Sequence, residues 1–286
     1  IGNIFRCITW NFFETFHFLL KVAKFLCHLC NLFDQITCDF IRSWSITFPS
    51  QFKNTFNCIR TTFNQIVKVL SLIRIINPNS NDSVTQAMSE AVEPLRLNNG
   101  PKIDCVTIAN GPFGVESDED VRVAATLVKE EIKSDREAAA FVIACYSDPG
   151  LETARQETSR PVFGMAESAI LTAVTRGGHF GVISILDQSV PRHMKHLEER
   201  GMTHFCAGDR PINMTVAEST SADGAFKRLV EVGSDLRDKD GARSVILGCA
   251  GMARHRMALE AELGMPVIDP VQAGAAMAVG AVCLGH

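Results

Sequence analysis

Residues 138–144 read Ala-Ala-Ala-Phe-Val-Ile-Ala and run straight into Cys145-Tyr146-Ser147-Asp148-Pro149-Gly150. An unbroken apolar run closed by a turn signal predicts a strand buried on both faces of a parallel sheet. The arrangement recurs in Ser244-Val245-Ile246-Leu247-Gly248-Cys249-Ala250-Gly251-Met252, with the two cysteines 104 residues apart. Pro161-Val162 follows Cys145 by 16 residues and Pro266-Val267 follows Cys249 by 17. The chain therefore predicts two duplicated α/β halves, each presenting one thiol at the end of a central strand.

Taken in order from Ile73, strands are predicted at residues 73–76, 103–108, 139–145 and 161–165, with helices at 83–93, 117–133 and 167–175. Ser117 followed by Asp118, Glu119 and Asp120 reads as an N-cap with acids in the positive first turn. The pattern then restarts, with strands at 180–186, 204–207, 244–249 and 266–269 and helices at 190–200, 222–239, 253–263 and 271–284. Alternating strand and helix implies parallel sheets with right-handed crossovers. The fold class is α/β, with two pseudo-symmetric lobes, each a parallel sheet flanked by helices. Residues 73–175, completed by 270–286, form lobe 1, and residues 176–269 form lobe 2. Ligands of such sheets sit beyond the carboxyl ends of the strands, so both thiols are expected to face one cleft between the lobes.

Residues 1–72 differ in composition. They hold twelve of the 18 Phe, both Trp and five of the ten Cys, with one Gly, one Pro, one Ala and three acids, Glu14, Asp34 and Asp39. An amphipathic membrane-surface helix around residues 15–33 and a transit peptide compete as readings. The abrupt shift, in a chain that starts on Ile1, favours sequence foreign to the folded protein, with no functional residue before Ile73. Cys27 and Cys30 have zinc-like spacing without a second matching pair, so no metal is expected. Net charge is −4, which excludes a global basic field for nucleic acid, and no run of 18 apolar residues is free of charge. A cytoplasmic protein that meets neither nucleic acid nor membrane, acting on a small molecule, is expected. A homo-oligomer is left open.

A thiol just ahead of a helix feels the positive helix end, which is expected to lower its pKa toward neutrality. Two such thiols flanking one carbon suffice to invert it, one as thiolate removing a proton and the other delivering one to the opposite face. Backbone N–H groups of Tyr146, Ser147, Ala250 and Gly251 are candidates to hold an enolate oxygen, and Gly251 permits close approach of backbone to ligand. Asn79 and Ser80 serve either a substrate amide or the turn they sit in. A buried cysteine is by default a small hydrophobe, and Cys105, Cys206 and Cys283 are read so. His179, His193, His196 and His255 show no partner pattern and read as surface or packing residues. Glu116 and Glu167 read as structural caps, and residues 235–243 as a solvated helix face.

Two segments, 144–151 and 247–252, resemble the hydantoin/allantoin racemase branch of the aspartate/glutamate racemase superfamily. The resemblance spans about residues 73–286, with Ile76-Asn77-Pro78-Asn79-Ser80, Asn110-Gly111-Pro112, Glu116-Ser117 and Val267-Ile268-Asp269. It implies two α/β domains, a ligand between them, no cofactor, and catalytic roles for Cys145 and Cys249. Glutamate racemases typically carry Asn-Thr after the first cysteine and Thr-His after the second, where this chain has Tyr146-Ser147 and Ala250-Gly251. A neutral ring such as a 5-substituted hydantoin or allantoin fits that difference. An aspartate/glutamate racemase and a maleate isomerase are the alternatives within the superfamily. A two-lobed binding protein without catalysis is the alternative outside it.

Overall fold

A computed structural model describes residues 71–285, apart from Ser221, and the composition shift and the Cys27/Cys30 spacing lie outside the described residues. β1 (Leu72–Asn77), β2 (Lys102–Thr107), β3 (Ala138–Ile143) and β4 (Val162–Gly164) form one parallel sheet in the order β2-β1-β3-β4. β5 (Phe180–Ser184), β6 (Cys206–Pro211), β7 (Ser244–Leu247) and β8 (Val267–Ile268) form a second in the corresponding order β6-β5-β7-β8. All six strand pairings are parallel. The expected α/β class with two separate sheets is therefore what the chain adopts.

The helices are α1 (Asp82–Ala91), α2 (Asp118–Ser134), α3 (Leu151–Glu157), α4 (Met165–Gly177), α5 (Val190–Glu199), α6 (Val216–Thr220), α7 (Ala222–Asp238), α8 (Arg256–Leu263) and α9 (Pro270–Leu284). Side-chain caps fix several starts. Asn81 caps α1, and Ser117 exchanges hydrogen bonds with Asp120 in a capping box on α2. Gly178 and Gly201, at φ 80° and 65°, end α4 and α5 in conformations that cost other residues more.

Some boundaries differ from the sequence expectation. The described residues begin at Ser71, whose carbonyl accepts from the Lys102 N–H, and Leu72 already pairs with Lys102 and Ala138. β3 stops at Ile143, so Cys145 stands two residues past the strand, and Cys249 stands equally past Leu247. The strand expected at 204–207 is instead a 3-10 turn (Thr203–Phe205) running into the edge strand β6. α3 and α6 are short helices that the sequence pattern did not indicate.

Core residues of β3 and β7 are buried on both faces, with Phe141, Val142, Ile143, Val245, Ile246 and Leu247 all at zero exposure. Full burial of such a side chain contributes about 1.5–3 kcal/mol. α9 packs on α4, β3 and β4, completing the first sheet's cover. Its Gly274 lets the helix close on that layer, since a Cβ there would lie 2.7 Å from Val142 Cγ1.

Candidate active site

β1 and β3 part at the point where strand order reverses in the first sheet, and β5 and β7 do the same in the second. Cys145 and Cys249 leave the interior strands β3 and β7 at those points. Both line one cavity of about 30 Å³. Asn79, Tyr146, Ser147 and Ala250 line it too, as expected. Ser80 and Gly251 are not among its lining residues. The Ser80 N–H is spent on the Pro112 carbonyl, and a Cβ on Gly251 would meet Thr220 rather than the cavity. Asn79 does both jobs considered for it, lining the cavity while its Oδ1 accepts from the Asn81 N–H at 2.9 Å.

The expected lowering of the thiol pKa is overturned. Burial pushes Cys145 up to about 12, and the neighbouring Cys249 and Asp148 push the same way, against the Ser147 N–H and Arg192. Burial also raises Cys249, opposed by the N–H groups of Gly251 and Met252 and by the Ser219 hydroxyl, whose Oγ lies 3.8 Å from the sulfur. Desolvation of the charged form outweighs the hydrogen bonds to both sulfurs here. Cys249 is the N-cap residue of a 3-10 turn (Ala250–His255), so its positive-end placement is as expected even though the net direction is not. The backbone N–H groups of Ser147 and Gly251 favour the charged form of the neighbouring sulfurs.

Several residues that sequence reasoning passed over close the site. His193 is not a surface or simple packing residue. It is 5% exposed and lines the cavity, with its ring edge-on to Tyr146 at 4.8 Å. Its Nδ1 lies 2.8 Å from Asp209 Oδ2 and 3.2 Å from Ser184 Oγ, and Ser184 also donates to Asp209 Oδ1. Arg192, one residue earlier, donates from Nε to Ser147 Oγ at 2.9 Å and from Nη1 to Asp118 at 2.7 Å. Glu116 reaches across the cleft, its Oε1 accepting from the Val216 N–H and its carbonyl from Gln188 Nε2. These contacts tie the first sheet's loops to the second's. Ser184, His193 and Asp209 come from β5, α5 and β6, so no local spacing announces them. Of the remaining histidines, His179 is exposed, while His196 and His255 sit in protein. Glu167 pairs with Arg155 and Arg200 at the start of α4.

Val84, Val115, Met165, Ile185 and Val216 give the wall its apolar part, with Ala144 and Gly248, while Ser189 and the Arg192 guanidinium add polar lining. No Asp or Glu side chain is among the lining residues. Among the described residues no cluster has the makings of a metal site, and no helix is long and apolar enough to cross a membrane.

The family model described as Asp/Glu/Hydantoin racemase matches residues 73–278. The chain belongs to the Asp/Glu/hydantoin racemase family, and with it to the isomerases. Curated family relatives include a hydantoin racemase from Paenarthrobacter aurescens, 36% identical over 222 residues, covering 75% of this chain and 92% of that one. A hydantoin racemase from Pseudomonas sp. (strain NS671) is 35% identical, covering 74% and 86%. Among solved structures, an allantoin racemase from Klebsiella pneumoniae superposes with a TM-score of 0.72 at 31% identity, over 75% of this chain and 89% of that one. A glutamate racemase from Bacillus anthracis, at 20% identity and a TM-score of 0.56, shares the fold.

Proposed function

We propose that this family member is a cofactor-independent racemase that inverts the carbon acid of a 5-substituted hydantoin or of allantoin, with Cys145 and Cys249 as the two proton-transfer groups. Each sheet with its helices is one lobe in this reading, α9 joining the first. The observation that carries it is that both sulfurs, from equivalent positions after β3 and β7, line the same cavity.

In one direction the Cys145 thiolate takes the proton from the ring carbon, and the C–H electron pair moves into the adjacent carbonyl as an enolate. The Cys249 thiol then gives its proton to the opposite face, and the electron pair returns to carbon. The enzyme is left as Cys145 thiol and Cys249 thiolate, the form competent for the other enantiomer. The two sites titrate as a coupled pair. The N–H groups of Ser147, Gly251 and Met252 and the Ser219 hydroxyl favour whichever sulfur carries the charge. The cavity holds at most a water or two, so the cross-cleft contacts of Arg192 and Glu116 part to admit a ring.

A neutral ring suits the wall better than an amino acid, because an ammonium group would find no carboxylate among the lining residues. The hydantoin racemases at 35–36% identity support the same class. Free thiols as working groups suit a reducing compartment such as the cytoplasm. The test is a circular dichroism decay screen over enantiopure 5-substituted hydantoins, allantoin, aspartate and glutamate, with maleate followed by absorbance. Decay confined to the ring substrates is expected, and turnover of aspartate, glutamate or maleate alone refutes the reading.

A further inference from the structure

We propose that Asp148 is a positioning residue for Cys145, holding that thiol's loop, and only that thiol's loop, against the start of α4. The proposal rests on the racemase reading above for its kinetic consequence, though not for its structural one.

Asp148 lies three residues after Cys145, and its N–H donates to the Cys145 carbonyl at 2.9 Å. Its side chain is 2% exposed. Oδ1 accepts from the Ala166 N–H at 2.9 Å and Oδ2 from the Glu167 N–H at 3.0 Å. The carboxylate thus satisfies two orphan donors at the start of a 13-residue helix that provides no cap of its own. The N-cap position of α4 is Gly164, and a Cβ there would overlap the Asp148 carboxylate. Asp148 itself sits at φ 43°, in the left-handed region that only Asp148 and Asn213 occupy among the described non-glycine residues. That conformation carries strain for a side-chain-bearing residue, and the two cap bonds hold it in place. α5 closes over the same loop, with His196 Nε2 at 3.7 Å from Asp148 Oδ2 and Arg192 on Ser147 Oγ.

The second half of the molecule is built differently at the matching place. There the helix after the fourth strand, α9, is capped by its own preceding residue, Asp269, whose Oδ1 accepts from the N–H groups of Val271 and Gln272. The Cys249 loop is instead a 3-10 turn packed on α1. Lobe 1 has moved the capping carboxylate out of the strand end and into the cysteine loop. One thiol is therefore tied to a helix terminus through a side chain and the other is not, so loss of the tie has a one-sided effect.

The experiment uses Asp148→Asn, which tolerates the backbone conformation but turns one acceptor into a donor facing an N–H, and Gly164→Ala, which displaces the carboxylate while leaving residue 148 unchanged. Solvent-deuterium exchange is followed for each enantiomer of a 5-substituted hydantoin, the enantiomer served by Cys145 being the one a Cys249→Ser protein still exchanges. In both variants that exchange is expected to fall by at least about tenfold, with the opposite enantiomer changed by less than about threefold. Iodoacetamide labelling read by peptide mass spectrometry gives a second measure, and the Cys145-to-Cys249 labelling ratio is expected to rise in both. Asp135→Asn is the structural control. Asp135 is a buried carboxylate that accepts from Ala138 N–H at the far end of the same strand and from Arg74, and its loss is expected to lower stability without changing the labelling ratio. An unchanged labelling ratio in the folded Asp148 or Gly164 variant overturns the proposal, as does equal loss of exchange for both enantiomers. A wild-type protein that exchanges neither enantiomer refutes the racemase reading instead, and the labelling ratio then decides the positioning claim alone.

Discussion

Raising the pH from 7 to 9 changes the quantity on which the two-thiol account depends, the population of thiolate. Burial pushes the Cys145 thiol up to about 12 and raises Cys249 as well. At that value roughly one Cys145 in 10⁵ is ionised at pH 7 and one in 10³ at pH 9. The productive free enzyme carries one thiolate and one thiol, so kcat/KM for the enantiomer served by the Cys145 thiolate rises tenfold per pH unit, about 100-fold across the interval. Initial rates by circular dichroism at constant ionic strength, with both enantiomers of one hydantoin, measure it directly. The same raised pKa has a consequence for stability. Between the ordinary thiol pKa of 9.0 and the folded value of about 12, the unfolded chain is ionised while the folded one holds its proton. The contribution is therefore intact below pH 9 and lost as pH rises above it, to a limit of about 4 kcal/mol. Cys145→Ser removes that alkaline loss. A plateau in kcat/KM at or below pH 8 refutes the reasoning, because it places the first ionisation of the pair near the unperturbed range.

Asp209→Ala strips the shared acceptor from Ser184 Oγ and His193 Nδ1 and leaves them only the bond to each other, and a buried polar group left short of a partner costs about 1–3 kcal/mol. A fall of that size is expected in urea unfolding, together with lost activity through the displaced His193. Gly274→Ala sets a methyl 2.7 Å from Val142 Cγ1, and overpacking of about 1–3 kcal/mol is expected to exceed the roughly 1 kcal/mol gained in helix propensity. The melting temperature then falls or stays level, and a clear rise contradicts the close approach of α9 to β3. Deletion of residues 1–70, which keeps Ser71 and Leu72 in the sheet, is expected to leave kcat/KM within about twofold, since both cysteines and the described residues that line their cavity follow that point.

The parts of the fold readable from sequence were those fixed by short-range chemistry. Two-sided burial makes β3 and β7 continuous apolar runs, a capping box marks the start of α2, and Gly178 and Gly201 mark the ends of α4 and α5. α3 escaped notice because it has seven residues and opens on Gly150 in the left-handed region, with no capping side chain. The strand expected at 204–207 overlaps β6 only at Cys206 and Ala207, because the rest of this edge strand, with Gly208 and Pro211, carries no apolar alternation. At the site, the cysteines were legible because they recur after equivalent strands. Arg192 and the His193, Asp209 and Ser184 group were not, because the last three meet only when α5 folds over β5 and β6. The direction of the thiol pKa was misjudged for a similar reason. Helix-end placement is visible in sequence, whereas the depth of burial that outweighs it is a property of the assembled lobes.

The most direct test of the central claim is enantiomer-resolved deuterium exchange by Cys145→Ser and Cys249→Ser. Serine is nearly isosteric with cysteine but far too weak an acid to supply the base. Each variant is expected to lose racemisation while still exchanging the acidic proton of one enantiomer through the remaining cysteine, with opposite preferences in the two proteins. Near wild-type racemisation by either variant, or exchange of the same enantiomer by both, contradicts the assignment of one thiol to each face.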